Sequence, residues 1–289
     1  MRLICGEQQI QTLPDRIAVR GAFGHSLSTA YADACKERKF DTAKTGDHGI
    51  ARPLLPTQGN LIRRHTGKWP FNGVPCGAKQ HCYTTRNDMP TLVARLLEAS
   101  MPGMRVKADV LAFGGASLAA HWNRGEVQKR LAGQTWNAVV LQDQSTRPLR
   151  ALRSMQEYVR RFVDEIQAAG ARPYLYMTWA RKDDPASQAK IVQAFQGLAE
   201  VTGASVIPVG LAWDQFRNLR PAIDLYEPDG SHPTMIGSYL AACTHVFSLA
   251  DIDAVSDGVV EIKLSSVDVN LLHEICMTAA RAEKTLRSS

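Results

Sequence analysis

Trp136-Asn137-Ala138-Val139-Val140-Leu141 and, further on, Arg172-Pro173-Tyr174-Leu175-Tyr176-Met177-Thr178 are short, almost unbroken apolar runs. Between them, residues 150–169 repeat apolar positions at helical spacing and stop at Gly170, as an amphipathic helix does. A strand, a crossover helix and a second strand, each strand apolar on both faces, predict a parallel pair covered on both sides. The pattern extends in both directions. Strands are predicted at 106–113 and 204–209, and helices at 121–131, 185–202, 212–219, 233–249 and 267–287. A further helix follows Asn87 or Asp88 as cap, with Pro90 at its start and Leu92, Val93, Leu96 and Leu97 on one face. Strands alternating with helices of this length make an α/β sandwich with a parallel sheet.

Ligands of such sheets gather beyond the carboxyl ends of the strands. Polar residues stand at those positions: Gly114-Gly115-Ala116-Ser117, Gln142-Asp143-Gln144-Ser145 and Trp179-Ala180-Arg181. Glycine lets a backbone N–H approach a reacting oxygen, and a glutamine amide supplies a second donor, which together make an oxyanion hole. Towards the C-terminus, Asp229-Gly230-Ser231-His232 places a carboxylate three residues before a histidine on a turn. That spacing lets the carboxylate orient the imidazole for proton transfer, with Pro233 expected at the first position of the next helix. Ser117 is expected to cap the helix after it, Cys243 and Cys276 to be core thiols, and His245 to pack or face solvent. Trp179 is expected in the core or at the pocket wall. Arg147 and Arg181 are candidates for an anionic group or for plain surface.

The 289 residues carry a net charge of +6, unevenly placed. Residues 1–79 hold 12 Lys/Arg against 6 Asp/Glu, whereas the remainder is balanced at 22 of each. The excess forms no dense stripe and is not interleaved with aromatic residues, so nucleic-acid binding is not the favoured reading. Residues 1–81 show neither a strand nor a helix period apart from a weak helix at 28–39, and are expected to be loosely packed or disordered. No apolar stretch is long enough to span a bilayer, and the start of the chain turns polar too early for a signal peptide. The six cysteines (5, 35, 76, 82, 243, 276) have no zinc spacing, so a reducing, cytoplasmic setting is the default expectation. Neither a metal nor a cofactor is called for, and Gly114-Gly115 lacks the spacing of a nucleotide loop.

In their order, these blocks resemble the SGNH (GDSL-like) hydrolases. The closest likeness is to a bacterial subgroup with Gly-Asn-Ser-[Phe/Tyr]-Thr, Gly-Gly-Ala-Ser-Leu and Val-Val-Leu-Gln-x-Gln-Ser blocks. Here the second and third of these correspond to Gly114-Gly115-Ala116-Ser117-Leu118 and Val139-Val140-Leu141-Gln142-Asp143-Gln144-Ser145, and the family's C-terminal Asp-x-x-His to the 229–232 turn. The resemblance covers residues 82–250 and implies a flavodoxin-like three-layer sandwich, with residues 251–289 as an extension. It implies hydrolysis of a small-molecule or carbohydrate ester through an acyl-enzyme. His232 would be the base, Asp229 its orienting carboxylate, and Gly115 and Gln144 the oxyanion donors.

The first block departs from the family. Gln80-His81-Cys82 stands where Gly-Asn-Ser belongs, which puts Cys82 at the nucleophile, and Pro75-Cys76-Gly77-Ala78-Lys79 stands where a buried strand belongs. The first strand is therefore expected to be missing or replaced, with 71–74 or a partner as candidate substitutes. Two explanations stay open: a thiol variant, or a reading frame altered before Tyr83. A catalytically silent domain that keeps the cleft for a ligand is the alternative to an esterase.

Overall fold

The computed structural model describes residues 2–6, 82–256 and 258–286, all within the unit made of Met1–Ile10 and Arg64–Ser289. The expectations for 28–39 and 71–74 fall outside the described residues, as does nearly all of the 1–81 segment.

Among the described residues the sheet has five parallel strands. They are β1 (Arg2–Gly6), β2 (Asp109–Phe113), β3 (Ala138–Leu141), β4 (Arg172–Tyr176) and β5 (Ser205–Ile207). Their spatial order is β2-β1-β3-β4-β5, the flavodoxin-type order. The first strand is therefore replaced, and the beginning of the chain replaces it. Arg2–Gly6 pairs residue for residue with Asp109–Phe113 on one side, and Arg2, Leu3 and Ile4 pair with Val139, Val140 and Leu141 on the other.

Strand alternation divides the core into two layers, one on each face. Val139 and Leu141 of β3, Leu175 of β4 and Val206 of β5 pack with one set of helices. These are α2 (Leu118–Arg124), α3 (Glu126–Gly133), α5 (Leu152–Ala168) and α6 (Gln188–Thr202). A short α4 (Arg147–Arg150) precedes α5. Ala138, Val140, Tyr174, Tyr176 and Ile207 face the other way. They meet α1 (Met89–Ser100), α7 (Val209–Leu219), α8 (Met235–Leu249) and α9 (Ser266–Leu286). Leu272, Ile275, Cys276 and Ala279 of α9 share this core with Leu240, Cys243 and Val246 of α8, so the C-terminal helix belongs to the sandwich.

Several local expectations change. The predicted 121–131 helix is two helices, because Gly125 adopts φ +66 and turns the chain between α2 and α3. Pro233 does not open α8. Its neighbour His232 gives its carbonyl to the N–H of Glu227 at 2.8 Å and Pro233 bridges Tyr226, so the helix starts two residues later. Thr234 is the cap, its Oγ1 accepting from the N–H of Gly237 at 3.2 Å. Neither Asn87 nor Asp88 caps α1 by its side chain, since both sit in the left-handed region at φ 53 and 49. Asn87 Nδ2 instead donates to the Pro233 carbonyl (3.2 Å) and to Ser238 Oγ (2.9 Å), tying the start of α1 to the start of α8.

Candidate active site

The 229–232 turn is built around one carboxylate. Asp229 Oδ1 accepts from the backbone N–H of Ser231 (2.9 Å) and of His232 (2.8 Å). Gly230, at φ +66, takes the left-handed position that lets the chain close around it. The remaining oxygen, Oδ2, lies 2.5 Å from His232 Nδ1. Partial burial works against ionisation of Asp229, but those two N–H groups and the imidazole outweigh it and bring the carboxyl down to about 2. An ionised carboxylate only accepts, so in the neutral imidazole the proton belongs on Nδ1 and the lone pair on Nε2. This is the tautomer a general base requires.

Two hydrogen bonds hold the turn to the segment beyond β4. The N–H of Lys182, beyond β4, donates to the Gly230 carbonyl at 2.9 Å, and Trp179 Nε1 donates to the Ser231 carbonyl at 3.0 Å. Tyr83 also reaches the turn, its hydroxyl 2.5 Å from Ser231 Oγ and its ring edge-on to His232 with centroids 5.4 Å apart. Thr84, fully buried, donates to Gln142 Oε1.

The loops after β2 and β3 are joined by Asp143. Its Oδ1 accepts from the N–H of Leu118 (3.0 Å) and of Gln144 (2.8 Å). Burial raises its pKa, opposed by these two N–H groups and by Arg147, whose Nε stands 3.8 Å from Oδ2. Gly115 turns the first loop at φ +76, and Ser117 caps α2 as expected, accepting from the N–H of Ala120 at 3.3 Å. Gln144 Oε1 accepts from Thr146 N (2.9 Å) and Thr146 Oγ1 (2.6 Å), so any donation to a ligand comes from Nε2.

A continuous run of contacts thus links His232, Ser231, Tyr83, Thr84, Gln142, Asp143 and Leu118, on the segments that also carry Cys82, Gly115, Gln144 and Asp229. Cys82 differs from expectation in its chemistry. It is buried and disulfide-bonded, and a sulfur in a disulfide offers no thiolate. Cys243 and Cys276 are buried core thiols outside any disulfide, as expected. Arg147 is committed to Ser154 and Asp143, and Trp179 lies in the core, stacked between Tyr83 and Trp213 (centroids 4.6 and 3.8 Å). Tyr83 and Asp143, which tie the loops together, were not singled out from the sequence. Their partners lie on other segments, and local spacing carries no trace of them. Among the described residues, no group of His, Cys, Asp and Glu is arranged to hold a metal ion, and no helix is long and apolar enough to cross a membrane.

No family model and no curated protein matches the chain. Among solved structures, it is similar to a provisionally assigned SGNH hydrolase from Slackia heliotrinireducens, with 29% identity and a TM-score of 0.49 over 58% of this chain and 94% of that one. A DUF4886 family protein from Bacteroides uniformis is similar at 19% identity and TM-score 0.48, covering 66% and 87%. An acetyl xylan esterase is similar at 15% identity and TM-score 0.44, covering 54% and 87%.

Proposed function

We propose that this chain is an ester hydrolase of the SGNH type, acting on a small-molecule or carbohydrate ester through an acyl-enzyme. The observation that carries this reading is the 2.5 Å contact between Asp229 Oδ2 and His232 Nδ1, which orients the imidazole as a base acting through Nε2 would require. The motif order, in which the glycine loop and Gln144 lie beyond β2 and β3, supports the same assignment.

In the proposed reaction, His232 Nε2 takes the proton of the nucleophile as it attacks the ester carbonyl. The carbonyl π electrons move onto oxygen, where the Gly115 N–H and Gln144 Nε2 stabilise the charge. The tetrahedral adduct collapses, the C–O bond to the alcohol breaks, and His232 returns the proton to the departing alkoxide. Water, deprotonated by His232, then attacks the acyl carbonyl, the acyl–nucleophile bond breaks, and His232 returns the proton to the released nucleophile, leaving a carboxylic acid.

Cys82 is the proposed nucleophile, and it requires a thiol reductant to open its disulfide first. Two electrons and two protons from a dithiol reductant, itself oxidised to a disulfide, give two thiols, and His232 then deprotonates that of Cys82. The disulfide also favours a second reading, a catalytically silent domain that binds a ligand in the same cleft. Hydrolysis of p-nitrophenyl acetate with and without dithiothreitol separates them, using wild type, Cys82→Ser, Cys82→Ala and His232→Ala. The esterase reading expects a reductant-dependent wild-type rate that both alanine variants lose. Equal rates in all four proteins under both conditions leave the silent domain.

A further inference from the structure

We infer that Tyr83 is a positioning residue for the His232 base, acting through Ser231 as a strut between the first motif block and the 229–232 turn. Four observations meet at this residue. Its hydroxyl lies 2.5 Å from Ser231 Oγ, so it grips the residue immediately before the base. Its ring meets the imidazole edge-to-face at 90°, with centroids 5.4 Å apart, which limits how far the imidazole can swing about its own axis. The ring also stacks on Trp179, at 4.6 Å and 11°, and Trp179 is itself stacked on Trp213 at 3.8 Å and 6°. Tyr83 therefore has a rigid backing and moves little. Finally, Trp179 Nε1 holds the carbonyl of the same Ser231 at 3.0 Å.

Ser231 is thus held at both ends: its carbonyl by an indole and its hydroxyl by a phenol. All three residues are buried, with Tyr83 3%, Trp179 2% and Ser231 4% exposed. In that setting a tyrosine or serine hydroxyl is worth keeping only if it is hydrogen-bonded, and here each satisfies the other. The consequence is directional. The Asp229 carboxylate sets which imidazole nitrogen carries the proton, while the Tyr83–Ser231 pair sets where the ring lies relative to the chain at Cys82, which is covalently joined to Tyr83. A base and a nucleophile on segments this far apart in sequence need such a connection if they are to stay within about half an ångström of a productive geometry.

Tyr83→Phe and Ser231→Ala remove the contact from each end while keeping the packing, and the double variant closes a thermodynamic cycle. Each protein is read in two ways: by p-nitrophenyl acetate kinetics under reducing conditions, and by the downfield proton resonance of the His232 Nδ1–H bonded to Asp229. Near-ultraviolet circular dichroism from the stacked Trp179–Trp213 pair checks that the core is intact. The strut predicts a fall in kcat of roughly fivefold in each single variant, the size of one lost hydrogen bond, with KM unchanged. The double variant falls no further than the worse single one, and the imidazole resonance broadens in all three. Wild-type resonance in Tyr83→Phe, or losses that multiply in the double variant, would overturn the inference. Its kinetic arm rests on the esterase reading, but the resonance does not. If wild type hydrolyses no faster than His232→Ala yet the resonance broadens in the variants, the strut stands and the esterase falls.

Discussion

The Asp229 carboxylate reaches His232 Nδ1 at 2.5 Å from within a four-residue turn whose own N–H groups it also accepts. Orientation and structure are therefore the same interaction. Asp229→Asn keeps the size and one acceptor, but its amide nitrogen now faces Nδ1 and donates to it, moving the imidazole proton to Nε2. The base is lost through the wrong tautomer. We expect kcat to drop by about 10³–10⁴-fold with KM little changed, as for triads in which the orienting carboxylate is replaced by its amide. Steady-state kinetics at constant pH measure this.

The same carboxyl sets a limit on pH dependence. Its pKa is lowered from 3.8 to about 2 in the folded protein, so the stability it contributes is fully present above pH 4 and is lost as pH falls towards 2. Half of the side chain is exposed, so solvent screening keeps this contribution small. A pH–rate profile should contain no limb from Asp229 above pH 3. An acidic limb that disappears in Asp229→Asn while activity persists would contradict this assignment.

Asp143 provides a separate test of the loops that would hold the oxyanion. Replacing it by alanine leaves the buried N–H groups of Leu118 and Gln144 without their acceptor, at about 1–3 kcal/mol for each unsatisfied group. Asp143→Asn retains Oδ1 and removes a charge that burial disfavours, so its cost should be well under half that of the alanine variant. Urea midpoints give the order. Equal destabilisation by the two substitutions would mean that the carboxylate oxygen is not what joins the loops.

How far the sequence carried the fold is clearest at β3 and β4. Their apolar runs are local, flanked by a helix with a clean stop at Gly170, and buried on both faces, so composition alone marks them. The dyad was legible for the same reason, since Asp229 and His232 are three residues apart. β1 was not. Arg2–Gly6 is five residues long and opens into polar sequence, and its partners begin at Asp109 and Val139. Such a strand is identified by its neighbours rather than by its own pattern. Tyr83 fails in the same way, because an aromatic residue beside a polar segment gives no sign that its ring stacks on Trp179 or its hydroxyl meets Ser231.

His245 was expected to pack or to face solvent, and it is fully buried in α8, with Nδ1 donating to the Ala241 carbonyl at 2.7 Å and the ring edge-on to Tyr176. Burial lowers its pKa from 6.5 to about 4, partly offset by the Ala241 carbonyl. The unfolded chain therefore binds a proton below pH 6.5 that the folded protein refuses until about pH 4. Stability should rise with pH across that window, and the deficit at pH 4 is on the order of 3 kcal/mol. Urea unfolding at pH 4, 5, 6 and 7 should show this slope in wild type, and a reduced slope in His245→Phe. An unchanged slope in the variant would assign the acid sensitivity elsewhere.

At Gly237 two effects of opposite sign compete. It sits in the first turn of α8, where an alanine would ordinarily favour the helix by about 1 kcal/mol. A methyl group there, however, would come within 2.5 Å of the Leu225 carbonyl and of the Trp213 ring. The carbonyl is backbone, and Trp213 is sandwiched against Trp179, so neither neighbour yields cheaply. Overpacking of this kind costs about 1–3 kcal/mol or more, which exceeds the helical gain. Gly237→Ala should therefore lower the urea midpoint. It should also disturb the exciton signal of the stacked tryptophans, because the displaced indole is the second ring of the stack behind Tyr83. Gly197, on α6, is a control within the same protein, since a methyl group there meets nothing within 4 Å. Gly197→Ala should stabilise, and a matching loss in both variants would place the effect in the helices' backbone rather than in the contact with Trp213.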